Sequence, residues 1–158
     1  MTKFQKITLV SLRIALGWMF FYAGITKVIS GNFSAAGYLQ GAKTFTGFYN
    51  LFLNPQILPV VNFLNEWGLT LVGVSLILGA FTRFSSILGA ALLMLYYFPI
   101  LDFPYPDAHS FIVDSHILEA LAVLVVGAFK TGRVCGLENW LANSSLLRKC
   151  YEKCSWLG

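Results

Sequence analysis

Four long apolar runs dominate the sequence, and each contains few charged residues. A membrane hydrocarbon core of roughly 30 Å needs about 20 helical residues to cross it. Because backbone amides inside lipid must be paired within the segment itself, runs of this length predict helices. We therefore predict an all-α, integral membrane four-helix bundle. The runs are Ile7–Ile29, Ile57–Phe81, Phe84–Leu101 and Phe111–Phe129.

The composition indicates a chain that is solvated mainly by lipid. Hydrophobic residues make up 57% of the 158 residues and charged residues 11%, whereas a soluble domain carries roughly 25% charged residues. The formal net charge of +4 comes from scattered cations, without the basic helix or groove of a nucleic-acid-binding protein. The composition predicts a lipid bilayer as the main partner and excludes nucleic acid.

The connections between the runs carry their own signals. Residues 30–56 contain aromatic residues near helical spacing, with Ser34 as a candidate cap and Pro55 as a stop. This pattern predicts an interfacial amphipathic helix between spans one and two, and the alternative is a plain loop with aromatic anchors. Spans two and three are joined by little more than Thr82 and Arg83, which predicts a tight hairpin. Pro99 marks the end of span three.

The distribution of charge predicts the orientation in the cell (cytoplasmic) membrane. The first run is too long for a signal peptide and lacks a small-x-small cleavage site, so we interpret it as a retained span. With both termini in the cytoplasm, eight basic residues lie inside and two, Lys27 and Lys43, lie outside, as the positive-inside rule requires. Residues 1–141 then form the membrane domain and residues 142–158 a cytoplasmic tail. The roles of Cys135, Cys150 and Cys154 on the cytoplasmic side are left open.

Ionisable residues from three predicted spans fall at one membrane level, near the outer ends of the spans. A single charge in hydrocarbon is costly, so such residues pair with one another or line a functional cavity. A structural ion-pair network that locks the bundle is the alternative to a catalytic site. The candidate catalytic residues are Lys27, Glu66, Asp114, His116 and Glu119.

His116 is the member of this group that, as a histidine, can exchange protons near neutral pH. We hypothesise that it holds or relays a proton beside Asp114 and Glu119, as quinone reduction requires. The spacing of His116 and Glu119 also suits metal ligation, with Glu66 as a third ligand, but we predict no metal site.

Flat aromatic side chains and one deep cation are the candidates for binding a ring-shaped cofactor. We interpret Arg13 as facing Tyr96, Tyr97 or a bound anionic or quinone group, because it lies deeper than snorkelling explains. A structural role for Arg13 and interface anchoring by the aromatic residues are the alternatives. The candidate cofactor-binding residues are Arg13, Trp18, Tyr22, Trp67, Tyr96 and Tyr97.

Glycines on the first two spans predict a close contact between these helices. Gly17 and Gly24 lie on one seam of span one, and Gly73 lies on a seven-residue repeat in span two. Small residues at such positions allow two helix backbones to approach each other.

Three stretches of the chain resemble the DoxX family of small four-span membrane proteins. They are LRIALGWMFFYAGITKV, ILPVVNFLNEWGLTLVGVSLILGAFTRFSSILGA and DSHILEALAVLVVGAFKTGRVCGLENWL, and the resemblance runs from about Lys6 to Leu141. The chain is most similar to the DoxD-like members, and the family takes its name from subunits of an archaeal thiosulfate:quinone oxidoreductase. The resemblance implies four membrane helices, a quinone cofactor and oxidation of small sulfur compounds such as thiosulfate.

Three functions are compatible with these observations. The first is a quinone-linked oxidoreductase, with a second membrane or peripheral redox subunit as a candidate partner. The second is a non-catalytic scaffold or anchor of a redox or stress-response complex. The third is a small proton-coupled carrier, for which four spans leave room only with homo-oligomerisation.

Overall fold

The computed structural model describes residues 1–143, which form four longer helices and four short ones. The part of the predicted tail beyond residue 143 lies outside the described residues, as do Cys150 and Cys154. The helices are α1 (Lys3–Ser30), α2 (Ala36–Gln40), α3 (Thr46–Leu51), α4 (Leu58–Leu78), α5 (Thr82–Ile100), α6 (Ser115–Ala128), α7 (Thr131–Val134) and α8 (Leu137–Asn143).

The four longer helices form one bundle. α1 packs against α4 and α5 packs against α6, while contacts of α4 with α5 and of α1 with α6 close the bundle. Phe20, Leu76 and Val123 are fully buried between the helices. Large apolar side chains, including Ile14 and Leu71, also cover the outside of the helices. A surface so rich in apolar side chains fits lipid rather than water, and the predicted all-α membrane bundle is confirmed.

The fourth helix is shorter than the sequence predicts. By length and composition α1, α4 and α5 are able to cross a membrane, whereas α6 has 14 residues. At 1.5 Å per residue α6 is about 21 Å long, against roughly 30 Å of hydrocarbon. The predicted run began at Phe111, but Asp114 accepts a hydrogen bond from the backbone N–H of Ile117 and caps the helix. The helix therefore begins only at Ser115.

The connection between α1 and α4 is helical, as predicted, but it is divided into two short helices. Gly41 ends α2, and Phe45, with a left-handed φ of 53°, precedes α3. Leu39 and Tyr49 form a small second core with partly buried neighbours that include Phe98. The connection therefore folds over the end of the bundle instead of extending as one helix.

The predicted hairpin between the second and third long helices is confirmed. α4 ends at Leu78, and Gly79 adopts the left-handed conformation (φ 67°) that ends a helix. α5 begins at Thr82 and continues through Pro99 to Ile100, one residue past the predicted stop.

Glycines bring the backbones of α1 and α4 into contact. A Cβ atom at Gly73 would lie 2.2 Å from the backbone nitrogen of Phe21 and 2.5 Å from its Cα atom. A Cβ atom at Gly24 would lie 2.4 Å from the backbone nitrogen of Thr70. The predicted small-residue contact between the first two spans is confirmed.

We expect Gly73→Ala to lower the free energy of unfolding by about 1–3 kcal/mol, the usual range for overpacking. The neighbouring atoms belong to the α1 backbone, so the added methyl group can be accommodated only if the helices separate. Gly68→Ala is the matched control on the same helix, because its Cβ would meet only the side chain of Leu92 at 3.8 Å. Thermal unfolding of detergent-purified protein compares the variants, and equal midpoints would contradict the expectation.

Candidate functional site

The two ends of the bundle carry opposite charge. We call the end where α1 stops and α4 starts the Lys27 end, and the opposite end the Arg13 end. Within residues 1–143, the Lys27 end carries two basic residues, Lys27 and Lys43, and five acidic ones, Glu66, Asp102, Asp107, Asp114 and Glu119. The Arg13 end carries one acidic residue, Glu138, and six basic ones, Lys3, Lys6, Arg13, Arg83, Lys130 and Arg133.

A hydrogen-bonded group at the Lys27 end, which we call the Lys27 cluster, joins three helices. It consists of Lys27 on α1, Asn65 on α4 and Tyr96 on α5. The Nζ atom of Lys27 donates to Oδ1 of Asn65 at 2.8 Å and to the hydroxyl oxygen of Tyr96 at 2.8 Å. The Tyr96 hydroxyl donates to the same Asn65 oxygen at 2.6 Å. The ammonium also lies 4.7 Å from the ring centroid of Phe33, within cation–π range.

Lys27 pairs with an amide and a phenol rather than with a carboxylate. Glu66 is half-buried and interacts with Lys27 electrostatically, but no hydrogen bond or ion pair joins the two side chains. An ammonium has three N–H donors, and Asn65 and Tyr96 account for two of them. Within the described part of the chain, the third donor has no hydrogen-bond acceptor.

The connection between α1 and α4 covers the Lys27 cluster. The hydroxyl of Tyr38 on α2 donates to the backbone carbonyl of Tyr96, and the two rings meet edge to face at 5.6 Å. Burial raises the pKa of Tyr38 to about 12, so this hydroxyl remains a donor at all physiological pH values. Oδ1 of Asn62 accepts from the backbone N–H of Ala35 at 2.9 Å, which ties α2 to α4.

A second polar group lies at the start of α6. Asp114 is buried and accepts a hydrogen bond from the backbone N–H of Ile117 at 3.2 Å. Its other carboxylate oxygen lies 2.6 Å from Nδ1 of His116. Because Asp114 fixes one ring nitrogen, the opposite nitrogen of His116 is the one that can exchange a proton. Glu119 is half-buried one turn further along and interacts electrostatically with both residues.

Adjacent tyrosines on α5 contact the two polar groups. Tyr96 belongs to the Lys27 cluster, and the Tyr97 hydroxyl donates to the backbone carbonyl of Ile112, just before Asp114. The structure therefore brings Lys27 near Glu66, and Asp114 near His116 and Glu119. Among residues 1–143 no direct hydrogen bond or ion pair joins the two sets.

The other predicted aromatic candidates lie on the outside of the bundle. Trp18 and Tyr22 are 58% and 60% exposed on α1, and their rings stack at 6.4 Å. Trp67 is exposed on α4. These three side chains face the lipid and do not line the interior beside Tyr96 and Tyr97.

The expectation that Arg13 faces Tyr96 or Tyr97 is wrong. Arg13 is 2% exposed, and its Nη1 atom donates to the backbone carbonyl of Thr131 at 2.8 Å. It lies at the Arg13 end, about 21 Å along α1 from Lys27 at 1.5 Å per residue. The short helix α7 folds against α1 and supplies the acceptor that the sequence pattern did not reveal.

Glu138 is a buried charge to which the sequence analysis gave no role. It is fully buried, and its Oε1 atom accepts from the backbone N–H of Thr82 at 2.5 Å. It thus caps α5, whose first flanking residue, Phe81, makes no side-chain cap. Arg13 lies within electrostatic range. The only sequence signal is a lone acid in a glycine-containing segment among cations.

An open cavity of about 600 Å³ lies in the loop between α5 and α6. Lys43 and Asp102 line its rim and form an exposed ion pair at 3.1 Å. Exposed pairs of this kind contribute about 0–1 kcal/mol. In residues 1–143, no three His, Cys, Asp or Glu side chains converge as metal ligands.

Comparison with protein-family models identifies a family for most of the membrane helices. The family model described as DoxX matches residues 8–100, from α1 to the end of α5. The matched range contains Lys27, Glu66 and Tyr96 and stops before Asp114 and His116. No curated protein and no solved structure matches the chain.

Proposed function

The chain belongs to the DoxX family of membrane proteins, and from this premise we propose that it is a membrane-embedded, quinone-linked oxidoreductase, or the membrane subunit of one. The proposed substrates are small sulfur compounds such as thiosulfate, as in the DoxD-like subtype. The proposal places the site at the Lys27 end and includes a second redox subunit as partner. One observation carries it: a half-buried ammonium, held by Asn65 and Tyr96, keeps one donor for a ligand oxygen.

Lys27 is the residue that would recognise an anionic substrate. Its position is fixed by two hydrogen bonds, so little side-chain freedom is lost on binding. A protonated His116 would add a second positive charge. The carboxylate of Asp114 is already engaged by the α6 backbone and by His116, which reduces its repulsion of an anion. Glu66 and Glu119 are the acids that oppose binding.

A quinone fits the Lys27 cluster better than it fits the exposed aromatic residues of α1 and α4. Lys27 presents its third N–H donor to a carbonyl oxygen, and Phe33 offers a flat ring beside the ammonium. Trp18, Tyr22 and Trp67 do not fit, because they face away from this cluster. When bound, a quinone supplies an acceptor for two electrons and two protons.

The proposed reaction joins two thiosulfate ions through a new S–S bond to give tetrathionate. This bond formation releases two electrons, for which a bound quinone would be the acceptor together with two protons. His116 holds one proton at the ring nitrogen that Asp114 leaves unengaged, and Asp114 fixes the ring orientation. A histidine oriented by a carboxylate in this way is a common proton donor and acceptor.

Quinone reduction by detergent-purified full-length protein tests the proposal. With thiosulfate as donor, we expect the wild type to reduce a soluble quinone analogue, followed optically. Glu66→Gln removes a charge that opposes anion binding, so it should lower the KM for thiosulfate. Lys43→Gln is the matched control, because Lys43 lies at the same end in an exposed ion pair. No turnover by folded wild type, alone or with a co-purified subunit, would contradict the proposal.

His116→Gln is expected to lower the rate of quinone reduction about a hundredfold, the lower limit for loss of a general acid–base residue. It should also flatten the pH dependence of the rate. Asp114→Asn is the companion variant, because asparagine caps a helix as well as aspartate does and keeps α6 in place. We expect it to lower the rate less than His116→Gln does. Unchanged activity and an unchanged pH profile in His116→Gln would show that His116 takes no part in the reaction.

A non-catalytic scaffold or anchor of a redox complex is the second candidate. It is favoured by the internal pairing of Lys27, since an ammonium with two partners already joins three helices. On this proposal the protein co-purifies with a stable partner. The complex then keeps its activity when Glu66 or His116 is replaced by alanine.

A further inference from the structure

The surface of the Arg13 end is basic and, within residues 1–143, carries no exposed acid. Glu138, the single acidic residue there, is 0% exposed and engaged with the start of α5. Basic residues next to the ends of membrane helices are attracted to anionic lipid headgroups.

Arg83 and Lys130 come from adjacent turns at this end. A Cβ atom at Gly127 would lie 3.5 Å from the Cα atom of Arg83 and 2.7 Å from the Cβ atom of Ser86. The first turn of α5 therefore packs directly against the last turn of α6. The backbone N–H of Lys130 donates to the carbonyl of Gly127 at 3.1 Å, so Lys130 lies one turn beyond the glycine that packs against Arg83.

The side chains of Arg83 and Lys130 are half-buried, and no hydrogen bond or ion pair engages them in the described range. Phe84 follows Arg83 and Phe129 precedes Lys130, and both phenylalanines are exposed. A pair of cations beside exposed apolar rings matches the two parts of a phospholipid, an anionic headgroup and acyl chains. The phenylalanines also continue the apolar surface of the membrane helices.

We propose that Arg83 and Lys130 bind the phosphate of an anionic phospholipid, with Phe84 and Phe129 against its acyl chains. Charge complementarity at this end and continuity with the lipid-facing surface support a lipid as the ligand. Basic residues near an anionic membrane surface each contribute to binding. The inference does not depend on the proposed redox function.

Native mass spectrometry of the detergent-purified full-length chain tests the site. Phosphatidylglycerol is titrated against phosphatidylcholine with the same acyl chains, and we expect wild type to retain one phosphatidylglycerol in preference. In Arg83→Gln/Lys130→Gln this affinity should fall about thirtyfold, the factor expected for two lost surface cations. Lys3→Gln/Lys6→Gln removes the same charge from the same end and should keep the affinity.

Three results would overturn the inference. Equal binding of the two lipids by wild type would show that no headgroup selectivity exists. Equal losses in the two double variants would assign the effect to overall charge, and competition by inorganic phosphate alone would exclude the acyl contact. If Arg83→Gln/Lys130→Gln does not fold, the wild-type preference and its decrease between low and high salt decide the question.

Discussion

Replacing Glu138 with alanine is expected to lower the free energy of unfolding by about 1.5–3 kcal/mol, the usual contribution of a hydrogen bond to a charged group. The substitution leaves the backbone N–H of Thr82 without its cap. It also removes one of the charges that interact electrostatically with the guanidinium of Arg13, which is 2% exposed and keeps its hydrogen bond to Thr131. Both losses occur where α1, α5 and α8 meet, so the bundle itself is weakened.

Thermal unfolding of detergent-purified protein measures this effect, and two further variants separate its causes. Glu138→Gln keeps an oxygen acceptor for Thr82 but removes the charge, so it should be destabilised less than Glu138→Ala. The double variant Arg13→Met/Glu138→Met removes both charges and should recover part of the loss. If the double variant is as unstable as the sum of the single ones, Arg13 and Glu138 are not coupled.

Lys27→Met is expected to lower the rate of quinone reduction about 10²- to 10³-fold, the usual loss when one donor to a developing charge is removed. Methionine keeps most of the apolar stem but has no donor for a substrate or quinone oxygen. The expectation rests on the proposed redox function. The measurement is the same optical assay, with substrate concentration varied to separate kcat from KM.

Two controls make the Lys27 result interpretable. Lys43→Met removes the other basic residue at the Lys27 end and should retain the wild-type rate. Thermal unfolding of Lys27→Met shows whether the loss of the ties to Asn65 and Tyr96 has disrupted the bundle. Wild-type turnover by folded Lys27→Met would refute the assignment of Lys27 to the site and would favour the scaffold.

The long helices were predictable because their signal is local. Apolar length identified α1, α4 and α5, and the polar residues Thr82 and Arg83 between two runs indicated the hairpin, although the turn itself lies at residues 79–81 and both polar residues belong to α5. The capping of α6 by Asp114 was missed because the apolar residues at 111–113 continue the pattern of the helix without belonging to it. An apolar run gives the length of a hydrophobic segment but does not fix the first helical residue.

The sequence indicated that the polar residues of the candidate site share one membrane level, but it did not indicate which side chains pair. Lys27 and Glu66 do lie near each other, but successive helix residues are turned by about 100°, and Asn65 rather than Glu66 receives the ammonium. Arg13 and Thr131 are separated by 118 positions in sequence. Such a contact depends on how α7 folds back against α1, which no local pattern encodes.

The short α6 has a consequence for the membrane around it. A helix about 9 Å shorter than the hydrocarbon core is accommodated by thinning of the adjacent bilayer, by snorkelling of flanking residues or by oligomerisation. Where the bilayer thins, we expect the lipid surface beside α6 to lie closer to the level of His116 than it does beside the longer helices. Such a depression would shorten the path of a small hydrophilic ion to the Lys27 end from the side of the bundle.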